Sequence, residues 1–107
     1  MARRRRSEEW WIRAGYAFEY AAVSVRSLCD ELAIDRPYFI SQIRKRGWEI
    51  VRTEGTLVEL RKLYKRAVSK PGQGTPADYY LWRVEAVEDA HAHLVRMVRE
   101  CEANPAA

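Results

Sequence analysis

The stretch from Ser24 to Gly47, SVRSLCDELAIDRPYFISQIRKRG, constrains this chain more than any other. Ser24 can accept the exposed amides of a first helical turn, and Leu28, Cys29 and Leu32 put apolar groups on one face of the short helix that follows. Ala33-Ile34 interrupts that spacing before Asp35 can cap a second helix, in whose first turn Pro37 costs no internal hydrogen bond. Two short helices joined by a tight turn make a helix-turn-helix. Cys29 falls where the two helices cross closely and a small side chain is wanted. With no basic group beside it in sequence to lower its pKa, it reads as an inert core residue.

The second helix has two unlike sides. With Phe39 at the origin and about 100° per residue, Ile40, Ile43 and Gly47 share its arc, which is expected to be buried. Tyr38, Ser41, Gln42 and Lys45 are assigned to the opposite side, with Arg46 at its edge and Arg36 and Arg44 flanking; no carboxylate occurs between Arg36 and Trp48. These are the side-chain types that meet nucleic acid. Glutamine pairs bidentately with adenine, Arg and Lys with guanine, and Ser and Tyr reach base edges or the sugar-phosphate backbone. Arg3, Arg4, Arg5 and Arg6 precede the first helix as a basic arm suited to phosphates or a minor groove. The expected partner is double-stranded DNA, and the plain alternative is a solvated helix face.

Around this motif the pattern is helical throughout. Ser7, Glu8 and Glu9 start a helix expected to run to about Ala22, with Trp11, Ala14, Phe18 and Ala21 as its stripe. Trp10 and Trp11 are adjacent and cannot point the same way, so one is expected at the edge of the core or against a neighbouring chain. Trp48 to Arg52 alternates weakly, as a rudimentary wing would, with Trp48 and Ile50 locking it onto the core. Thr56 and Glu59 form a capping box for a fourth helix reaching about Ser69, and residues 70–76 are a reversing loop rich in Gly and Pro.

From Ala77 onward, Tyr80, Val84, Val87, His91, Leu94, Val98 and Cys101 recur at alternating spacings of three and four, a seam of more than three heptads. A fourth helix ending near Ser69 is too short to cover it, so other copies of the chain are expected to do so, and these residues are the predicted oligomerisation set. His91 is the odd member. Its neighbours Glu88 and His93 do not form a metal set, because residues two apart on a helix diverge and no second E-x-x-H exists. His91 reads first as a plain buried or partly exposed histidine; as a polar seam residue it would instead fix register or oligomer number, and its protonation would loosen the seam near about pH 6 to 6.5.

Charge divides the chain at the same loop. Residues 1 to 70 hold 16 Lys and Arg against 9 Asp and Glu, a net of +7, while residues 71 to 107 hold 3 against 6, a net of −3. The basic part would attract a polyanion and the acidic part would not. The expected class is all-α: a basic arm and helix-turn-helix module over residues 1–55, then an antiparallel helical hairpin with a long C-terminal helix over residues 56–107. No apolar run approaches the roughly 18 residues of a membrane span. Two distant cysteines imply neither a disulfide framework nor a zinc site, so a reducing cytoplasm is expected. With no P-loop, nucleophile elbow or carboxylate cluster, an enzyme is not indicated and no cofactor or metal is expected.

The order of a basic start, the SEEWWIRAGYAF helix, the SVRSLCDELAID-PYFISQIRKRGW motif and a helical hairpin resembles the small terminase subunits of tailed bacteriophages. That resemblance implies a non-enzymatic subunit in the host cytoplasm. It would bind viral DNA through its helix-turn-helix, assemble into a homo-oligomer, a ring, and work with a large terminase subunit. Two positions depart from the usual motif: Ala33 stands where its turn carries Gly, and Gln42 stands where an apolar residue is usual, with Ile43 next. A small transcriptional regulator, dimeric through the long helix, is the second expectation, and an adaptor that has lost DNA binding the third.

Overall fold

A computed structural model describes residues 6–49, 51 and 53–103. It is all-helical: α1 Glu8–Glu19, α2 Val25–Leu32, α3 Arg36–Arg46, α4 Thr53–Ser69 and α5 Ala77–Ala103. No strand occurs among the described residues, so the expected wing forms no sheet there; Ile50 and Arg52 lie outside them. Helix α5 is the spine. Its first half pairs with α4 and its second half with α1, and α2 also reaches it.

Local chemistry accounts for the caps. The Ser7 hydroxyl accepts from the Trp10 amide at 3.1 Å, Ser24 from Ser27 at 3.2 Å, and the Asp35 carboxylate from Tyr38 at 3.2 Å. Helix α2 ends with Ala33 in the left-handed region (φ 53°, ψ 46°). There the Ile34 amide donates to the Cys29 carbonyl and the Ala33 amide to that of Asp30, the paired bonds of a Schellman motif. Gly47 ends α3 in the same way at φ 67°, with the Trp48 amide reaching back to Ile43. Ala33 thus holds a conformation that costs an L-residue about 1–2 kcal/mol relative to the right-handed one, where glycine is nearly indifferent.

Two helix boundaries differ from expectation, and Thr53 joins them. Helix α1 stops at Glu19, not Ala22, and α4 begins at Thr53, three residues before the expected Thr56 cap. The Thr53 hydroxyl donates to the carbonyls of Tyr20 and Ala21, satisfying acceptors at the end of α1. Ala21 and Ala22 then remain buried outside any helix.

The larger core gathers Trp10, Trp11, Ala14, Ala17, Phe18, Ala21, Leu28, Cys29, Leu32, Ile34 and Phe39 from the first three helices and their joints, together with Val98 of α5. Both tryptophans are buried, contrary to the expectation that one would sit at an edge. Helix α1 has neighbours on two sides. The Trp10 Nε1–H donates to Glu102 of α5 at 3.0 Å, while Trp11 stacks on Phe39 and meets the edge of Tyr38. Trp48 closes the aromatic group against Trp11, Phe18 and Phe39 with centroids about 6 Å apart. A Cβ at Gly15 would fall 2.8 Å from the Trp48 ring, so this position has no room for a side chain unless the ring shifts.

A smaller core joins Ala22, Leu57, Leu60 and Val84, flanked by Tyr80 and Val87. The seam of α5 is therefore shared within one chain: α4 covers its first half and α1 its second. The expectation that nothing but α4 faced it overlooked α1, whose return to the far end of α5 leaves no periodic trace in the sequence.

Candidate nucleic-acid interface

Helix α3 is rooted by Phe39, which is fully buried, and by half-buried Ile43 packed against the same core. Its capped ends fix where it starts and stops, and α2 supports it through the Schellman turn. Arg36, Arg44 and Lys45 are exposed, and Ser41 and Gln42 are half-buried. Arg36, Arg44 and Lys45 are thus exposed as expected, whereas Ser41 and Gln42 are more enclosed than residues opposite the buried face would be.

Tyr38 and Arg46 are not disposed as expected. Tyr38 is half-buried with its ring edge-on to Trp11 at 5.7 Å. The Arg46 guanidinium lies over Trp11 at 5.1 Å and Trp48 at 5.8 Å, and it donates to both carboxylate oxygens of Glu8, at 2.6 and 3.3 Å. Its Nε also donates to the Gln42 side chain at 3.3 Å. The reason is rotational. Seven residues beyond Phe39 a helix has turned about 700°, roughly 20° short of two full turns, so Arg46 returns nearly to the buried face rather than to the edge of the outer one. It works as a clamp between α3 and α1. Reciprocally, the hydrogen bond from Arg46 holds the Glu8 carboxyl below its usual range, against an opposing effect of desolvation and with a lesser contribution from the Arg46 charge.

Of the expected arm, Arg3, Arg4 and Arg5 lie outside the described residues. Arg6 is not a loose cation. Its guanidinium sits 4.6 Å over the Trp10 ring and donates to the Ala33 carbonyl at 3.1 Å, which ties the entry to α1 onto the turn between α2 and α3. Its Nε is buried without a partner.

The residues assigned to oligomerisation are turned into the chain. Val84, His91 and Val98 are buried, and Tyr80, Val87, Leu94 and Cys101 are half-buried. Because α4 and α1 already cover this seam, no second copy is needed to cover it. His91 sits at the joint. Its Nδ1 accepts the backbone N–H of Ala22 at 3.3 Å, which places the ring proton on Nε2, 2.9 Å from a Glu31 carboxylate oxygen on α2. Cys29 matches its expected role, since burial, with help from Asp30, pushes its thiol up to about 11.

Sequence reasoning missed Glu8, Trp48 and Glu31 as the partners that set Arg46 and His91. Glu8 lies 38 positions from Arg46 and Glu31 lies 60 from His91, so neither periodicity nor spacing could signal those pairs; Trp48 is two residues from Arg46, and its part was hidden because the arginine was expected on the outer side. Among the described residues no three His, Cys, Asp or Glu side chains assemble as a metal site, and no helix is long and apolar enough to cross a membrane. Comparison with protein-family models, with curated proteins and with solved structures finds no match.

Proposed function

We propose that this chain binds double-stranded DNA, with α2 and α3 acting as a helix-turn-helix, and serves as an oligomeric small subunit of a phage packaging machine beside a large terminase subunit. The observation that supports DNA contact best is the exposed cation set Arg36, Arg44 and Lys45, on a helix capped at both ends and free of carboxylates. Arg and Lys side chains on such a helix neutralise phosphates, and Ser41 and Gln42 lie between them within reach of base edges. Arg3, Arg4 and Arg5 would add phosphate contacts from the arm. Tyr38 and Arg46 support the reading differently from the first expectation: they hold α3 against α1 instead of touching DNA. The packaging role rests on the resemblance in organisation, with α4 and α5 as its helical hairpin.

Fluorescence anisotropy with a labelled duplex at several salt concentrations tests the reading. Replacing Arg36, Arg44 and Lys45 by Ala should weaken binding at low salt and flatten the dependence of log K on log salt by about 0.9 for each phosphate contact removed. An unchanged affinity and slope would rule out α3 as the contact. A dimeric regulator would use the same α3 surface, but its dimer could not form through the seam without opening the chain's own core.

A further inference from the structure

Extending the assembly part of that reading, we propose that copies of this chain associate head to tail, the outward face of α4 on one copy meeting the outward face of α5 on the next. The two helices are each other's inner neighbour, so their outer faces point to opposite sides of a layer two helices thick. On α4, Leu57 and Leu60 face inward, and the other side exposes Val58, Lys62, Lys65 and Arg66, with Glu59 at its border. On α5, Val84 is buried against α4, and about 200° away stands Trp82, 62% exposed. Asp78, Glu85 and Asp89 surround it on the same outward side, all exposed.

One face is therefore basic and the other acidic, and the ion pair that links the helices, Arg61 to Glu88 at 2.9 Å, uses neither set. Pairing like faces would set charge against like charge. Pairing unlike faces neutralises both, which is the heterologous contact that propagates from copy to copy and closes into a ring when the rotation permits. An apolar centre exists on each side, Val58 on α4 and Trp82 on α5. The Trp82 ring lies 6.3 Å from that of Tyr79, which is held by an Arg83 hydrogen bond to its hydroxyl at 3.0 Å. A large exposed tryptophan ringed by charges is the composition of an interface centre. The partner whose charge fits it is already present on the same molecule.

Light scattering on the full chain after size exclusion reads the mass. The parent should exceed one chain at about 50 mM salt and fall to one chain near about 0.5 M, where charges are screened over roughly 4 Å. Two reversed chains decide the faces: Lys62→Glu with Lys65→Glu and Arg66→Glu, and Asp78→Lys with Glu85→Lys and Asp89→Lys. Each alone carries one sign on both faces and should run as a monomer, whereas an equimolar mixture should regain the parent mass. Trp82→Ala should weaken association at least about tenfold. A monomeric parent at low salt, reversed chains that keep the parent mass, or folded monomeric reversed chains whose mixture stays monomeric would each overturn the proposal, the last pointing to a foreign basic partner. Duplex binding by Trp82→Ala, which alters no charge, separates the two readings. It should match the parent per chain on a duplex long enough for one copy, while an associating parent that binds no duplex would sink the DNA reading and leave this interface standing.

Discussion

The two ends of α5 are covered in opposite manners. Around its far half, α1, α2 and α3 surround a space large enough to take in Trp10, Trp11, Phe18 and Phe39, with Trp48 as a half-buried lid. Around its near half α4 stands alone, the inner residues are the smaller Ala22, Leu57, Leu60 and Val84, and the rings of Tyr79 and Trp82 face outward. A layer of two helices has a single inner side, so it cannot bury a ring on every turn, whereas a cluster of four elements can. The difference teaches that aromatic content is not by itself core. The same residue types stabilise one end and stay available to partners at the other.

The largest test of this contrast compares truncations. Phe39→Ala should cost about 3–5 kcal/mol, and Leu60→Ala, in a thin layer free to collapse, about 2 kcal/mol, at the low end for a buried leucine. Thermal unfolding followed by circular dichroism should separate the two by several degrees, since about 1 kcal/mol moves the midpoint roughly 4–8 °C in a domain of this size. Equal losses would remove the distinction between the ends.

A smaller effect comes from two backbone positions whose residues are the wrong way round. Ala33 occupies the left-handed region that glycine prefers, while Gly55 lies inside α4 with open space where a Cβ would be. Ala33→Gly and Gly55→Ala should each stabilise by about 0.5–1 kcal/mol, one at each end, and raise the melting midpoint by a few degrees. A fall in midpoint for Ala33→Gly would mean that the turn between α2 and α3 is not held as described.

The smallest effect is the exposed clamp between Glu8 and Arg46. Glu8 titrates below its ordinary value of 4.5 because Arg46 hydrogen-bonds to it. A depressed carboxylate contributes stability that is fully present above that ordinary value and is lost as pH falls through the folded value. Melts of the parent and of Glu8→Gln between about pH 3 and pH 6 should differ at the upper end and converge at the lower. A constant difference would show that the carboxylate charge is not what holds α3 to α1.

Much of this was legible in the sequence because it is local. Ser7, Ser24 and Asp35 each lie within three residues of the amide they cap, Gly47 closes its own helix, and the heptads of α5 announce a long helix with one apolar side. What stayed illegible is what joins remote segments. Thr53 ties the start of α4 to the end of α1 through bonds that span more than thirty residues, and His91 finds Glu31 sixty residues away. The seam shows that α5 needs a cover but not which element supplies it, and because α1 shares that task with α4, only the outer faces of these helices are left for other copies. Arg46 was misplaced for a plainer reason, its rotation past Phe39.

The bond from Trp10 to Glu102 joins residues 92 positions apart, and it has a kinetic side. Closing a loop of that length costs on the order of 4 kcal/mol of chain entropy beyond a length-independent constant. As the polypeptide is synthesised, the first helix emerges long before Val98, the residue that seals the core it contributes to. The aromatic surface of α1 is therefore partly uncovered until α5 arrives, and docking of α5 completes the core that the first three helices begin.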